Sequence, residues 1–226
     1  DVYKRQALNY YTNEEITIPL DPTQTPGENA QRYFAKYNKQ KRTFEALTEL
    51  IQETADDIQY LESISNALDI ALSEADLAQI KEELMQSGYI RRKHTKKKVK
   101  LTSKPMHYIS SDGYDMYVGK NNLQNEELTF SFANGNDWWF HAKGAPGSHV
   151  IVKSGGDELP DRTFEEAGRL AAYYSKNRGA DKVEIDYIQK KHVKKPNGAK
   201  PGFVVYYTNY SLVIDSDISN IKNVQD

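Results

Sequence analysis

The chain has 226 residues, enough for one or two domains that each bury a core. Hydrophobic residues make up 38% of the sequence, and no apolar run approaches the roughly 18 residues of a membrane-spanning helix. We therefore exclude a membrane-embedded protein and expect no membrane partner. The sequence contains no cysteine, which excludes disulfide scaffolds, cysteine-ligated metal sites and thiol nucleophiles and fits a cytoplasmic protein.

The net charge of −2 conceals an uneven distribution of charge along the chain. Residues 1–88 carry 8 basic and 16 acidic side chains, whereas residues 89–226 carry 22 basic and 16 acidic side chains. An acidic first part therefore precedes a basic second part, which favours a polyanionic partner for the second part.

The first six residues, Asp-Val-Tyr-Lys-Arg-Gln, read like the translated end of a sequencing adapter, and no initiator methionine precedes them. We interpret residues 1–6 as an artefact at the edge of an incomplete gene, so that the natural protein would continue upstream. A genuine start at this point is the alternative. These residues lack the apolar segment of a secretory signal, so we expect none here.

A long helix is predicted to begin at Thr25, because Thr25 and Glu28 match a capping box with Pro26 at the first helical position. Downstream, side chains recur at alternating spacings of three and four, which is the pattern of a coiled coil. The stripe comprises Phe44, Leu47, Ile51, Thr54, Ile58, Leu61, Ser65, Leu68 and Leu72. A helix of about 45 residues would be nearly 70 Å long at about 1.5 Å per residue, too long for a small domain to cover.

We therefore predict a coiled-coil arm over residues 7–90, with its partner helix in upstream sequence. A long helix packed on a globular body is the alternative. Two short strands, at residues 9–12 and 16–20, are expected at the tip of the arm. A second helix is predicted from Ser73 as its cap to Gly88 beyond its end.

Residues 91–103 form a predicted basic linker, because seven of the ten residues from position 91 to position 100 are lysine or arginine. Such a run repels itself and resists burial, so it is either a hinge or an interaction segment. The candidate RNA contacts in this linker are Arg91, Arg92, Lys93, Lys96, Lys97 and Lys98.

From residue 104 onward the hydrophobic period changes to two, which predicts a sheet. A hairpin is expected around Asp112-Gly113, and one principal helix is expected after Asp161 or Thr163 as cap, with Glu166 completing a capping box. Further strands are predicted at residues 128–132, 138–142, 148–152, 183–188, 203–207 and 212–214. The predicted fold class is α+β: a long coiled-coil helical arm followed by a largely antiparallel sheet domain over residues 104–216, with residues 217–226 as a tail.

The segment Trp138-Trp139-Phe140-His141-Ala142-Lys143 is the densest in chemistry. Alternation along a strand would place Trp138, Phe140 and Ala142 on a core face. It would leave Trp139, His141 and Lys143 as an exposed row suited to stacking on a base and pairing with a phosphate. A buried aromatic cluster with a snorkelling lysine is the alternative.

Two further basic elements accompany this row: Lys120 with Asn121, and a loop in which five lysines lie between residues 190 and 200. The loop has no acidic residue between Asp186 and Asp215, so its charge is uncompensated in sequence and favours contact with a polyanion. A solvated surface is the alternative for any single run. The candidate RNA contacts outside the linker are Lys120, Asn121, Trp139, His141, Lys143, His149, Lys194, Lys195 and Lys200.

Four of these segments, in this order and spacing, resemble the C-terminal RNA-binding domain (NFACT-R) of the NFACT family. They are residues 119–121, 137–143, 147–150 and 195–202, and the likeness covers about residues 104–216. Residues 20–22 and 28–34 are similar to the returning limb of the family's coiled-coil arm.

The resemblance implies a ribosome quality-control factor. Such a factor binds large ribosomal subunits that peptidyl-tRNA obstructs and recruits tRNA to add an untemplated C-terminal tail of alanine. The implied partners are the large ribosomal subunit, tRNA and rRNA. The family's N-terminal domain and helix-hairpin-helix segment have no counterpart in this sequence, so we do not expect this chain to elongate tails alone. A surface adhesin that binds fibronectin or another matrix protein is the alternative function, because bacterial members also carry a fibronectin-binding name.

An enzyme is a further alternative, since His141, His149, Asp137 and Asp112 could be imagined as an acid–base or metal cluster. The two histidines are eight residues apart across a glycine-proline turn, and that spacing matches no standard ligand motif. We therefore predict no catalytic residue, no metal site and no cofactor.

Overall fold

The computed structural model describes residues 4–91 and 103–224. The chain divides into two compact units, with the boundary between Asp57 and Ile58. The described residues form four α-helices: α1 (Pro26–Ile70), α2 (Glu74–Gln86), α3 (Asn122–Glu127) and α4 (Asp161–Tyr173). They also form nine strands: β1 (Lys4–Asn9), β2 (Glu14–Pro19), β3 (Met106–Ile109), β4 (Asp115–Val118), β5 (Trp138–Ala142), β6 (Val150–Val152), β7 (Val183–Gln189), β8 (Tyr210–Ile214) and β9 (Lys222–Asn223). This composition confirms the α+β class. None of the helices among these residues is both long and apolar enough to cross a membrane.

The first unit opens with an antiparallel hairpin in which Lys4 of β1 lies opposite Pro19 of β2. The chain reverses at residues 10–13, where Asn13 adopts a φ of 56° and donates its N–H to the Asn9 carbonyl at 2.7 Å. The strand predicted at residues 9–12 is therefore wrong beyond Asn9, because those residues form the turn. Residues 4–6 belong to β1 and pair with residues 17–19 of β2. The adapter origin of residues 1–6 stays a prediction.

Helix α1 begins where the sequence predicts. The Thr25 N–H donates to Glu28 Oε2 at 2.7 Å, and the Glu28 N–H donates to Thr25 Oγ1 at 3.3 Å, so both halves of the capping box are present. The buried side chain of Asn29 accepts from the Asp21 N–H at 2.8 Å and donates to the carbonyl of Gln24 at 3.3 Å. These bonds fix the loop that enters the helix.

The predicted apolar stripe is exposed along α1 in the first unit, with Phe44 71% and Ile51 68% exposed. The coiled coil stays a prediction. In the second unit α1 buries a different face, because Tyr60, Ile64 and Ala67 pack together with Ile80 of α2. At this end of α1 the predicted stripe is therefore not the packed face, and its members Ile58 and Leu61 are exposed.

Helix α2 has the predicted cap. The Asp76 N–H donates to Ser73 Oγ at 3.2 Å and the Ser73 N–H donates back to Asp76 Oδ2 at 3.1 Å. Gly88 follows the helix with a φ of 82°, a left-handed conformation that glycine adopts without steric cost. The second predicted helix is confirmed.

The second unit contains a seven-stranded sheet in the order β8-β7-β5-β6-β4-β3-β9, and each neighbouring pair is antiparallel. Helix α4 covers one face, where Phe140 and Ala142 of β5 share a core with Leu170. On the other face Trp139 packs against Leu128 within a second core cluster. Both faces of β5 are therefore covered, which agrees with the alternative of a buried aromatic cluster and not with an exposed row.

Three local predictions in this unit are wrong. Leu128–Phe132 is a π-helical turn that continues α3 and not a strand. Helix α3 itself begins at the Asn121 cap, whose side chain accepts from the Gln124 N–H at 3.0 Å. Residues 203–207 form only an isolated bridge between Val205 and Lys194. The predicted capping box of α4 is absent: the N-cap residue is Pro160 and not Asp161 or Thr163, and the Glu166 carboxylate accepts from the Ser111 N–H at 2.7 Å.

We expect Ile64→Ala to destabilise the chain by about 2–5 kcal/mol, because it deletes buried methylenes from the cluster between α1 and α2. The matched change Ile58→Ala, on the exposed face of the same helix, should alter stability by less than about 0.5 kcal/mol. Urea denaturation followed by circular dichroism measures both. Equal losses for the two variants would contradict the packing described here.

Candidate nucleic-acid interface

The four sequence segments singled out above meet at one place in the second unit. His141 lies on β5, His149 lies just before β6, and Gly202 lies in the lysine-rich loop. Asn125 lies on α3, which follows residues 119–121. Together they line a cavity of about 200 Å³. The segments therefore form one site. The hydrogen bonds and ion pairs within it determine which side chains remain available to a ligand.

His149 lies at the centre of this structure and is buried. Its Nδ1 is 2.8 Å from Thr129 Oγ1, and its backbone N–H donates to Asn125 Oδ1 at 2.9 Å. Burial lowers the pKa of His149 well below its usual value, and His141 beside it lowers the pKa further, although the backbone carbonyls of Asn125 and Gly202 partly oppose the shift. His149 is therefore a neutral structural residue at neutral pH, which does not support the predicted contact with RNA phosphate.

His141 borders the cavity and stacks on Trp139, with ring centroids 5.6 Å apart. Burial lowers its pKa to about 4, although the Gly147 backbone and Asp186 partly oppose the shift. The predicted exposed row fails at Trp139, which is fully buried. Its ring packs against Tyr206 at 5.0 Å because the turn after α3 and the segment around Tyr206 cover that face of β5.

Glycines allow the close approach of these segments. A Cβ at Gly119 would lie 2.2 Å from Asn125 Oδ1, and a Cβ at Gly202 would lie 2.8 Å from Asn122 Oδ1. Real Cβ atoms do not approach other atoms so closely, so larger residues would push the segments apart. Gly119 and Gly202 of the motif therefore allow close packing of these segments.

Lys120 and Asn121, two predicted contacts, are engaged within the protein. Lys120 Nζ lies 3.1 Å from Asp76 Oδ1, and Asn121 is buried as the cap of α3. Burial alone would raise the pKa of Asp76, but hydrogen bonds from Ser103 and Leu72 and the Lys120 ammonium lower it to about 2. Neither residue presents a free group to RNA.

Lys143, Lys195 and Lys200 also have protein partners. Lys143 pairs with Glu184 at 2.5 Å, and Lys195 Nζ lies 2.8 Å from both carboxylate oxygens of Glu126. Lys200 Nζ bonds the Tyr89 hydroxyl at 2.8 Å and lies 4.6 Å from the centre of the Tyr60 ring. Two of the lysines that looked uncompensated in sequence are thus held by side chains distant in the chain.

The remaining predicted residues divide into two groups. Arg91 and Lys194 are exposed. The other linker candidates, Arg92, Lys93, Lys96, Lys97 and Lys98, lie outside the described residues.

Lys194 belongs to a group of lysines that we call the lysine turn, residues 190–194. It includes a 3₁₀ turn at Lys190–His192, and Lys191 and Lys194 are exposed. Within the described part of the chain, Lys190, Lys191 and Lys194 form no salt bridge. The turn therefore concentrates positive charge that the protein does not neutralise.

The ring of Phe130 lies beside the lysine turn and that of Phe132 lies beside Lys153, and neither ring was among the predicted contacts. Lys190 Nζ is 5.8 Å from the centre of the Phe130 ring, Lys153 Nζ is 4.8 Å from that of Phe132, and Phe132 is 41% exposed. We call the lysine turn with Phe130, Phe132 and Lys153 the basic-aromatic face. Unlike the lysines of the turn, Lys153 has an acidic partner, Asp137 Oδ2 at 2.5 Å. The sequence did not indicate this face because Leu128–Phe132 was predicted to be a strand. The capping residue Asn121 predicts a helix instead, and such a helix leads into the turn that carries both rings.

The histidines among the described residues do not form a metal cluster. Across residues 4–91 and 103–224, no group of three or more histidine, aspartate and glutamate side chains is arranged to hold a metal ion.

Comparisons with known proteins bear on both units. Residues 4–103 match the NFACT N-terminal and middle domains, so part of that region does have a counterpart here, contrary to the expectation from the sequence. Residues 104–208 match the NFACT protein RNA binding domain. This chain belongs to the NFACT family. The NFACT chain is 46% identical over 218 residues to the Rqc2 homolog RqcH of Streptococcus pneumoniae serotype 2, which covers 96% of this chain and 39% of that protein. It is 41% identical over 223 residues to the Rqc2 homolog RqcH of Bacillus subtilis, which covers 96% of this chain and 38% of that protein.

A solved structure is similar as well: the C-terminal part of the fibronectin/fibrinogen-binding protein from Streptococcus suis. It has a TM-score of 0.79 and 43% sequence identity, over 88% of this chain and 80% of that chain. The NFACT chain spans about two fifths of the length of the two RqcH relatives described above.

We expect the stability of this NFACT chain to fall as pH drops from about 6.5, where an unfolded histidine begins to bind protons, toward 4. The folded pKa values of His141 and His149 are lowered, so the unfolded state binds more protons in this window and stability declines with falling pH. Each of these two histidines should contribute roughly 1 kcal/mol per pH unit. Urea denaturation between pH 7 and pH 5 measures the slope.

The variant His141→Gln should reduce this slope, and the exposed control His192→Gln should leave it unchanged. A wild-type free energy of unfolding that stays constant between pH 7 and pH 5 would contradict the lowered pKa values of His141 and His149.

Proposed function

We propose that this chain is the RNA-binding part of a ribosome-associated quality-control factor. The observation that carries the proposal is the basic-aromatic face: three lysines without acidic partners beside partly exposed rings, in a domain that matches the NFACT protein RNA binding domain. Lysines pair with phosphates, and aromatic rings stack on unpaired bases.

We infer the partners from the relatives. We infer that the chain contacts the large ribosomal subunit and tRNA, and that the whole protein binds subunits obstructed by peptidyl-tRNA and recruits tRNA for alanine tailing. Similarity to Rqc2 homologs supports this inference. Arg91 and the other linker cations would add phosphate contacts that do not depend on base identity.

Protein–protein adhesion is the second candidate function. A protein 43% identical in sequence carries the description fibronectin/fibrinogen-binding, and that description is the observation in its favour. The charge distribution favours RNA, because the unpaired lysines of residues 190–194 suit a polyanion.

The change Lys190→Gln with Lys191→Gln and Lys194→Gln should weaken tRNA binding about tenfold or more, and each lost phosphate contact should reduce the slope of log affinity against log salt by about 1. Fluorescence anisotropy with labelled tRNA at several salt concentrations measures both quantities. The matched control replaces three exposed lysines of α1, Lys36, Lys39 and Lys41, with glutamine and should leave binding within about twofold.

Equal losses for the two triple variants would show that net charge alone drives binding. Co-sedimentation with peptidyl-tRNA-obstructed and empty large subunits tests the ribosomal partner. Tight binding to immobilised fibronectin together with no binding to tRNA would favour adhesion instead.

A further inference from the structure

A second groove lies on the α4 side of the sheet, away from the basic-aromatic face. Consecutive side chains of a strand point to opposite faces, so Trp138 faces α4 whereas Trp139 packs in the other core cluster. The groove has a volume of about 430 Å³, and Leu159 contributes to its lining. It is separate from the cavity around His149, with which it shares no lining residue.

Four aromatic rings line this groove. Trp138 meets Phe164 edge to face with centroids 4.8 Å apart, and Tyr187 stacks on Tyr210 at 5.5 Å. Trp138 lies 5.9 Å from Tyr187, which joins the two pairs. Tyr210 is 60% exposed, so part of its ring is open to solvent. A ring face binds a cation placed within about 6 Å of its centre, and neighbouring rings reinforce that attraction.

Three carboxylates line the same groove: Asp157, Glu158 and Asp161, all on exposed residues. In the part of the chain that the structure describes, none of them forms a salt bridge, and no lysine or arginine lies over the four rings. The pKa of Tyr187 is raised by burial first, then by Tyr210 and by Asp161, so the Asp161 charge reaches the rings. The groove thus combines an aromatic lining with uncompensated negative charge.

The amino terminus of α4 adjoins the groove and carries the opposite sign. A helix amino terminus is equivalent to about +0.5 charge, whereas the three carboxylates carry a formal charge of −3. The negative charge dominates, and it repels a nucleic acid. This balance separates the groove from the lysine turn, whose charge is positive.

We propose that this acidic aromatic groove binds an arginine or lysine side chain of a basic segment in a protein partner. The rings would receive the cation and the alkyl part of its side chain, and the carboxylates would pair with the charged head. The domain would then hold RNA on one face of its sheet and a basic protein segment on the other. This inference does not depend on the proposed RNA contacts.

The two tryptophans of the chain provide an internal control for the test. A peptide of alternating glycine and arginine is titrated into the ¹⁵N-labelled full chain, and the indole N–H signals are followed by NMR. The signal of Trp138, assigned with Trp138→Phe, should shift on binding, whereas that of the buried Trp139 should not. A peptide in which glutamate replaces arginine should shift neither signal.

Paired variants then localise the contact. The change Glu158→Gln with Asp161→Asn should weaken peptide binding about tenfold, as expected for two lost ion pairs near the rings, and Tyr210→Ala should weaken it about fivefold. The charge-matched control, Glu165→Gln with Asp181→Asn, replaces exposed carboxylates outside the groove and should change binding by less than about twofold.

Three outcomes would overturn the proposal. The first is no shift of the Trp138 signal at peptide concentrations up to about 1 mM, the weak limit of specific recognition. The second is an equal loss of affinity in the groove variant and its charge-matched control, which indicates diffuse electrostatic attraction. The third is a shift of the Trp138 signal with tRNA but not with the arginine peptide, which assigns the groove to RNA.

Discussion

Burial of the neutral His149 ring is the constraint on which the second unit depends. The ring bonds Thr129 just after α3, and the backbone N–H of His149 bonds the side chain of Asn125 within α3. A charged imidazole at this depth would need a counter-charge, whereas a neutral ring can donate one hydrogen bond and accept another. The first role of the residues that resemble the family motif is therefore structural: they hold α3 against the segment that carries His149.

This closure determines which lysines can meet a ligand. The segment that carries Gly202 sits against α3, and its neighbours Lys195 and Lys200 bond Glu126 and Tyr89. Charge that looks continuous in the sequence is thus divided by the fold into neutralised and unpaired lysines. The unpaired lysines collect at residues 190–194, next to Phe130.

Much of the fold was predictable from local signals. The capping boxes at Thr25 and Ser73 and the Asp112-Gly113 turn depend on residues close in sequence, and the structure contains all three. The burial of Trp139 did not follow from the alternation of residues along β5, because both faces of that strand are covered. Helix α4 covers one face, and the segments around Leu128 and Tyr206 cover the other. A sequence with an aromatic residue at both alternating positions does not state whether one face or two are covered.

The candidate site was harder to predict for a related reason. Composition identified the basic half of the chain, but the partners of Lys120 and Lys195 come from Asp76 and Glu126, which are distant in sequence. Pairing of this kind is a property of tertiary structure. The groove at Trp138 was missed because its carboxylates lie about 20 residues after its first ring.

Ultraviolet crosslinking of the chain to uridine-rich RNA, with mass spectrometry to locate the attached peptides, tests the central claim most directly. We predict crosslinks at Phe130, Phe132 and the lysine turn, and none at His149 or Trp139, which are buried. Crosslinks concentrated at Trp139, His141 and His149 would show that RNA reaches the buried motif and would contradict this account.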